Sequence, residues 1–199
     1  MSDPIPNQEY RFAVVVGRIL HPYWMPIPTI LAILSDLPLN ESLKWSAVVL
    51  AITLLPGMIA AAFFQNQGHA LYKRKIRGPL YLVGWVSVLA CLFVVLQFDA
   101  PRVLVACVAT LAVWLPVQWM VNHWITKVSA HAAVATGCLV ALVLLGKVAN
   151  PVLGLILLVA VIITLWARVV TKNHTIPQVL LGVLIGALPV LIVFPLALS

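Results

Sequence analysis

Long apolar runs separated by short polar stretches dominate this 199-residue chain, falling at residues 12–35, 45–64, 79–98, 102–121, 130–146, 151–167 and 177–198. A helix that crosses the hydrocarbon layer of a bilayer needs about 20 mostly apolar residues, so the pattern allows seven crossings joined by short loops. Inside a bilayer no water serves the backbone, and a crossing segment must satisfy its own N–H and C=O groups as a helix or in a closed barrel. No alternation of period two argues for strands. The expected fold is therefore all-α: a polytopic transmembrane helix bundle of six or seven spans, forming one integral membrane domain over residues 1–199. Composition points the same way. Only 9% of the residues are charged and 63% are hydrophobic, against roughly a quarter charged in an ordinary soluble domain. So few charges cannot cover a water-facing surface.

The first run is the least regular. Pro22, Pro26 and Pro28 interrupt it, and each removes a helical donor, which predicts two shorter helices or a broken span. Gly182 and Gly186 form a small-xxx-small pair in the last run, the pattern that lets two helix backbones approach closely. Cys91, Cys107 and Cys138 all lie inside apolar runs and read as small buried hydrophobes. The seven tryptophans sit mostly near run ends, where interfacial anchoring accounts for them. Residues 1–11 are polar and no small-residue cleavage site follows the first apolar run, so no cleavable signal is expected.

Seven crossings sort the loops into two faces. One face holds Arg11, Arg18, Lys73, Arg74, Lys75, Arg77, Lys127, Arg168 and Lys172, the other only Lys44, Arg102 and Lys147. The positive-inside tendency alone produces such a bias and puts the first face on the cytoplasmic side, here of a prokaryotic plasma membrane. The tendency does not count histidines, yet His21, His69, His123, His131 and His174 all lie on or near the same face, whose only carboxylates are Asp3 and Glu9. A face rich in Arg, Lys and His and nearly free of acids favours an anion. The net charge of +7 is scattered among apolar spans, which excludes nucleic acid as the expected partner.

Two stretches carry most of the chemistry. Ser129 and His131 enter the fifth run, and His174 stands just before Pro177 and Gln178 at the start of the seventh, separated from Arg168 by five residues. Free N–H groups at a helix start favour a phosphate, and Pro suits a first helical turn. Two helix starts, two histidines and an arginine on one face suit phosphoryl transfer. One imidazole attacks phosphorus, a second protonates the leaving alkoxide, and the guanidinium stabilises the equatorial oxygens.

The stretches resemble the second and third signature motifs of the type 2 phosphatidic acid phosphatase superfamily, P-S-G-H and S-R-x5-H-x3-D. The chain has Val128-Ser129-Ala130-His131, and Ala167-Arg168 followed by His174 and Gln178. The first motif, K-x6-R-P, is matched loosely by Lys73 to Pro79, with Arg77, Gly78 and Pro79; Ala70 stands where the motif lysine would be. The motifs follow the family's order, and the resemblance covers roughly residues 73–199.

The resemblance implies a phosphatase acting on a membrane lipid phosphate or diphosphate, with His174 as nucleophile and His131 as general acid. Arg168, Arg77, Ser129, Lys127 and Lys73 would hold the phosphate. The family mechanism uses no metal, so no cofactor is expected. Gln178 replaces the family's last aspartate; it can accept a hydrogen bond from His174 and orient it, but it cannot stabilise an imidazolium as a carboxylate does. Two readings therefore stand beside the enzyme: a catalytically inactive relative that binds an anionic lipid or serves in a membrane complex, and a redox or metal-binding subunit using the histidines.

Overall fold

The computed structural model describes residues 7–67 and 74–199, without the side chains of 74–77. Among the described residues every regular element is helical: α1 (Gln8–Ile19), α2 (Pro26–Ile33), α3 (Leu39–Asn66), α4 (Arg74–Gln97), α5 (Arg102–Met120), which runs on into a π-helical turn (Val121–Ile125), α6 (Ala130–Leu144), α7 (Pro151–Val170) and α8 (Ile176–Leu198). Five of these stretches, Leu39–Asn66, Gly78–Gln97, Arg102–Ile125, Pro151–Val170 and Ile176–Leu198, are long and apolar enough to cross a membrane. The fifth apolar run yields a shorter helix, the 15 residues of α6, which rise roughly 22 Å at 1.5 Å per residue.

The first run breaks in two, as its prolines require. Asn7 caps α1 by accepting from Tyr10 N–H at 2.9 Å. The helix ends at Ile19, just before His21 and Pro22, because the residue ahead of a proline is pushed away from helical geometry. Pro26 then opens α2, where a missing N–H costs nothing. Four hydroxyls in the long helices turn back onto their own backbones. Thr53 donates to Val49 O, Ser87 to Val83 O, Thr110 to Ala106 O and Thr164 to Ala160 O, all at 2.7–2.8 Å. A hydroxyl that bonds its own helix does not carry an unmet donor into an apolar layer.

The main core joins α2, α3, α4, α5, α6 and α8 around Leu34, Val49, Val95, Leu104 and Phe194. A smaller one, of Ala13, Val16 and Ala167 with Leu20, Ile163, Trp166 and Val170 around them, seats α1 on the last two turns of α7. The helices α2 and α6 run side by side in the same direction. His21, ahead of α2, meets His131 at the start of α6, and Ser35 and Asp36, after α2, meet Lys147 beyond the end of α6. The bundle thus has two distinct ends, one with His21 and His131 and the other with Asp36 and Lys147.

Candidate functional site

At the end of α7 the chain reverses through Thr171 and Lys172, the latter in the left-handed region at φ 54°. Lys172 N–H donates to Val169 O at 2.9 Å and His174 N–H to Arg168 O at 3.2 Å. The Thr171 hydroxyl donates to Ala167 O at 2.6 Å and accepts from Asn173 Nδ2 at 2.8 Å. The five-residue spacing between Arg168 and His174 is therefore the span of one tight reversal whose backbone links the two residues directly. Both are buried, each 8% exposed.

The start of α6 is brought to the same place by α8. A Cβ at Gly182 would stand 2.7 Å from Ser129 O, and one at Gly186 would overlap the backbone of Ala133. Only glycine permits that approach, so the Gly182–Gly186 pair is the packing device its spacing predicts. Ser129 is fully buried. Its hydroxyl oxygen caps α6 by accepting from Ala132 N–H at 3.3 Å, and its own N–H donates to Gln178 O at 3.4 Å.

His131, in the first turn of α6, faces two groups at once. Its Nε2 lies 3.3 Å from Gly17 O and 3.4 Å from Arg168 Nη1. With a proton on Nε2 the ring donates to the Gly17 carbonyl; without one it accepts from the guanidinium. The same nitrogen can therefore hold or release a proton without losing a partner. Gly17 presses directly on Arg168, and a Cβ there would overlap the guanidinium. His174 lies within electrostatic range of His131.

The other expected site residues are placed as follows. Lys127 Nζ donates to Asn173 O at 2.9 Å, which ties it to the backbone of the reversal beside His174. Gln178 is engaged away from His174. Its Oε1 accepts from Thr175 N–H at 3.2 Å and its Nε2 donates to Thr126 Oγ1 at 3.1 Å, with Thr175 returning the capping bond at the start of α8. The expected orienting contact is thus replaced by a capping box, whose T-x-x-Q signature stands in the sequence. Lys73 and His69 lie outside the described residues, and Arg77 is described only in its backbone. His123 stacks on Trp119 with ring centroids 5.6 Å apart. His21, which belongs to no motif, stands 5.1 Å from the His131 ring.

Arg168 makes no ion pair among the described residues, and its buried Nε has no hydrogen-bond partner there. The chain has five carboxylates. Asp3 lies outside the described residues and Glu9 is exposed on α1. Asp36 and Glu41 pair with Lys147 and Lys44, and Asp99 lies with Arg102 beside Ala197 near the end of α8. A buried guanidinium without a counter-ion is costly, and an anion with several oxygens would relieve it. The chain matches no family model, no curated protein and no solved structure.

Proposed function

We propose that the protein is a membrane-embedded phosphatase of the type 2 phosphatidic acid phosphatase kind, hydrolysing a lipid phosphate or diphosphate through a phosphohistidine. The observation that carries this reading is Arg168, buried without a carboxylate partner among the described residues, against His131 and one backbone bond from His174. His174 attacks phosphorus as the bond to the leaving oxygen breaks, and His131 gives its Nε2 proton to the departing alkoxide. Water then attacks the phosphohistidine, His131 takes its proton, and the P–N bond breaks to release orthophosphate and free His174. Arg168 stabilises the charge on the phosphoryl oxygens. By the resemblance, Ser129, Arg77, Lys73 and Lys127 complete the phosphate contacts.

A lipid substrate fits the surroundings. An apolar cavity of about 290 Å³ opens between α2 and α3, lined by Tyr23, Trp24, Ile27, Leu50, Leu54 and Met58. Tyr23 connects it to the site, since its N–H donates to His21 Nδ1 at 3.3 Å. In this reading α6 crosses the bilayer with the five longer spans, and the α1–α2 segment supplies a seventh passage. The charge bias turns the site end towards the cytoplasm of a prokaryotic cell.

The test is phosphate release from phosphatidate and polyprenyl phosphate by the purified protein in detergent. His174→Ala is expected to fall to background and to lose the radiolabelled phosphoprotein that an alkaline quench preserves in wild type. Release unchanged in that variant overturns the mechanism. One observation favours the second reading, an inactive lipid-binding relative: the motif aspartate is Gln178, and its amide is held in a capping box. A wild type that binds vanadate yet is inert towards every lipid phosphate would select it.

A further inference from the structure

The α1–α2 turn lies outside every motif, yet it covers His131 on two sides. Gly17 O approaches Nε2 at 3.3 Å, and four residues later the His21 ring meets the His131 ring at 5.1 Å with an interplanar angle of 83°. That edge-to-face arrangement is a preferred geometry for aromatic rings. His21 is itself held in place. Its Nδ1 accepts from Tyr23 N–H at 3.3 Å, which puts the ring proton of the neutral form on Nε2, and the Tyr23 ring lies 5.1 Å away on another side. Pro22 fixes the turn, because it ends α1 and cannot join a helix at its own N–H. An imidazole fixed this firmly restricts how the His131 ring can rotate about its side-chain bonds.

We infer that His21 is a positioning residue for His131: its ring holds the His131 imidazole in the plane that keeps Nε2 between the Gly17 carbonyl and the Arg168 guanidinium, so the N-terminal hairpin completes a site otherwise built by α6, α7 and α8. The inference rests on the phosphatase reading, in which His131 is the general acid. A general acid contributes about 10²–10⁴-fold and loses much of that when misaligned. In the first step, phosphoryl transfer to His174, which kcat/KM reports, the loss falls only on substrates whose leaving group needs a proton. From phosphatidate a diacylglycerol alkoxide leaves and needs one, whereas from p-nitrophenyl phosphate a stable phenolate leaves and does not. The water attack that follows, in which His131 takes a proton, is common to both.

The experiment compares wild type, His21→Ala and His21→Phe on both substrates in detergent, with thermal unfolding measured alongside. His21→Ala is expected to lower kcat/KM for phosphatidate by about tenfold to a hundredfold and to leave kcat/KM for p-nitrophenyl phosphate within about twofold. His21→Phe, which keeps a ring in the same space, is expected to recover most of the phosphatidate rate. Should His21→Ala be too unstable to assay, the recovery in His21→Phe carries the test alone. Equal losses on both substrates, no loss on either, or a folded His21→Phe with the alanine-sized defect expected on phosphatidate would overturn the role of His21 and leave the phosphatase intact. A wild type that releases phosphate from neither substrate overturns the phosphatase reading, and this inference with it.

Discussion

The two ends of the bundle treat charge in opposite ways. At the end beyond α6, Lys147 meets Asp36 at 2.6 Å and the Ser35 hydroxyl at 3.2 Å, and Lys44 meets Glu41 at 3.3 Å. Both of these lysines have a carboxylate, and the acids lie at the surface: Asp36 is 85% exposed and Glu41 41%. At the other end Arg168 is nearly sealed from solvent, faces imidazoles and pairs with no acid among the described residues. Exposed pairs of the first kind contribute little to stability. A buried guanidinium with no acid beside it costs stability, and a group held at that cost in a polar cluster is a candidate for function. The difference sets the paired end apart from the end to which the proposed function assigns the binding site.

The sharpest way to break that contrast is to remove the buried charge. Arg168→Met is expected to lower phosphate release by about 10²–10³-fold, the scale of losing one preorganised charge-stabilising group. Its thermal stability is expected to match or exceed that of wild type, because an apolar side chain of similar length replaces an unpaired charge. Activity assays and thermal unfolding on the same preparation read both outcomes. A loss of several kcal/mol in stability would make Arg168 a structural residue and erase the distinction between the two ends.

A smaller effect is expected one contact away. Gly17→Ala adds a methyl group where the Arg168 guanidinium now lies. The obstructing atoms are the far end of a flexible side chain, so the arginine yields before the helix does. Phosphate release is expected to fall by about tenfold as the guanidinium leaves Nε2 of His131, with stability within about 1 kcal/mol of wild type. The same methyl at Gly186 meets the backbone of Ala133, which cannot step aside. Gly186→Ala is therefore the control that damages folding instead of the site.

These residues also show how far the sequence could be read. The helices follow from the apolar runs, and the break before α2 from Pro22, Pro26 and Pro28, because a bilayer leaves the backbone few choices. The joining of Arg168 to His174 was legible as a spacing, which proves to be one reversal of chain. Partners far apart in sequence were not legible. Nothing local to His21 or Gly17 announces that they meet His131 and Arg168, more than a hundred residues away, since tertiary packing of α1 on α7 makes those contacts. Gln178 carried two readings at once. Its place in the motif suggested a partner for His174, while T-x-x-Q ahead of an apolar run is equally a capping box, and the local bond formed.

The smallest effect is expected at the paired end, where Asp36→Asn removes the carboxylate facing Lys147. Lys147 is only 14% exposed but keeps the Ser35 hydroxyl as an acceptor, so its ammonium does not become an orphan. Asp36 itself lies in water, where an ion pair is worth about 0–1 kcal/mol. The variant is expected to unfold within about 1 kcal/mol of wild type and to release phosphate at the wild-type rate. The pair stands at the far end of α2 and α6 from His131, and no charge moves at the site when it is broken. A rate that falls with Asp36→Asn while stability holds would mean the two ends are coupled through those parallel helices, and the far end could then no longer be treated as scaffold alone.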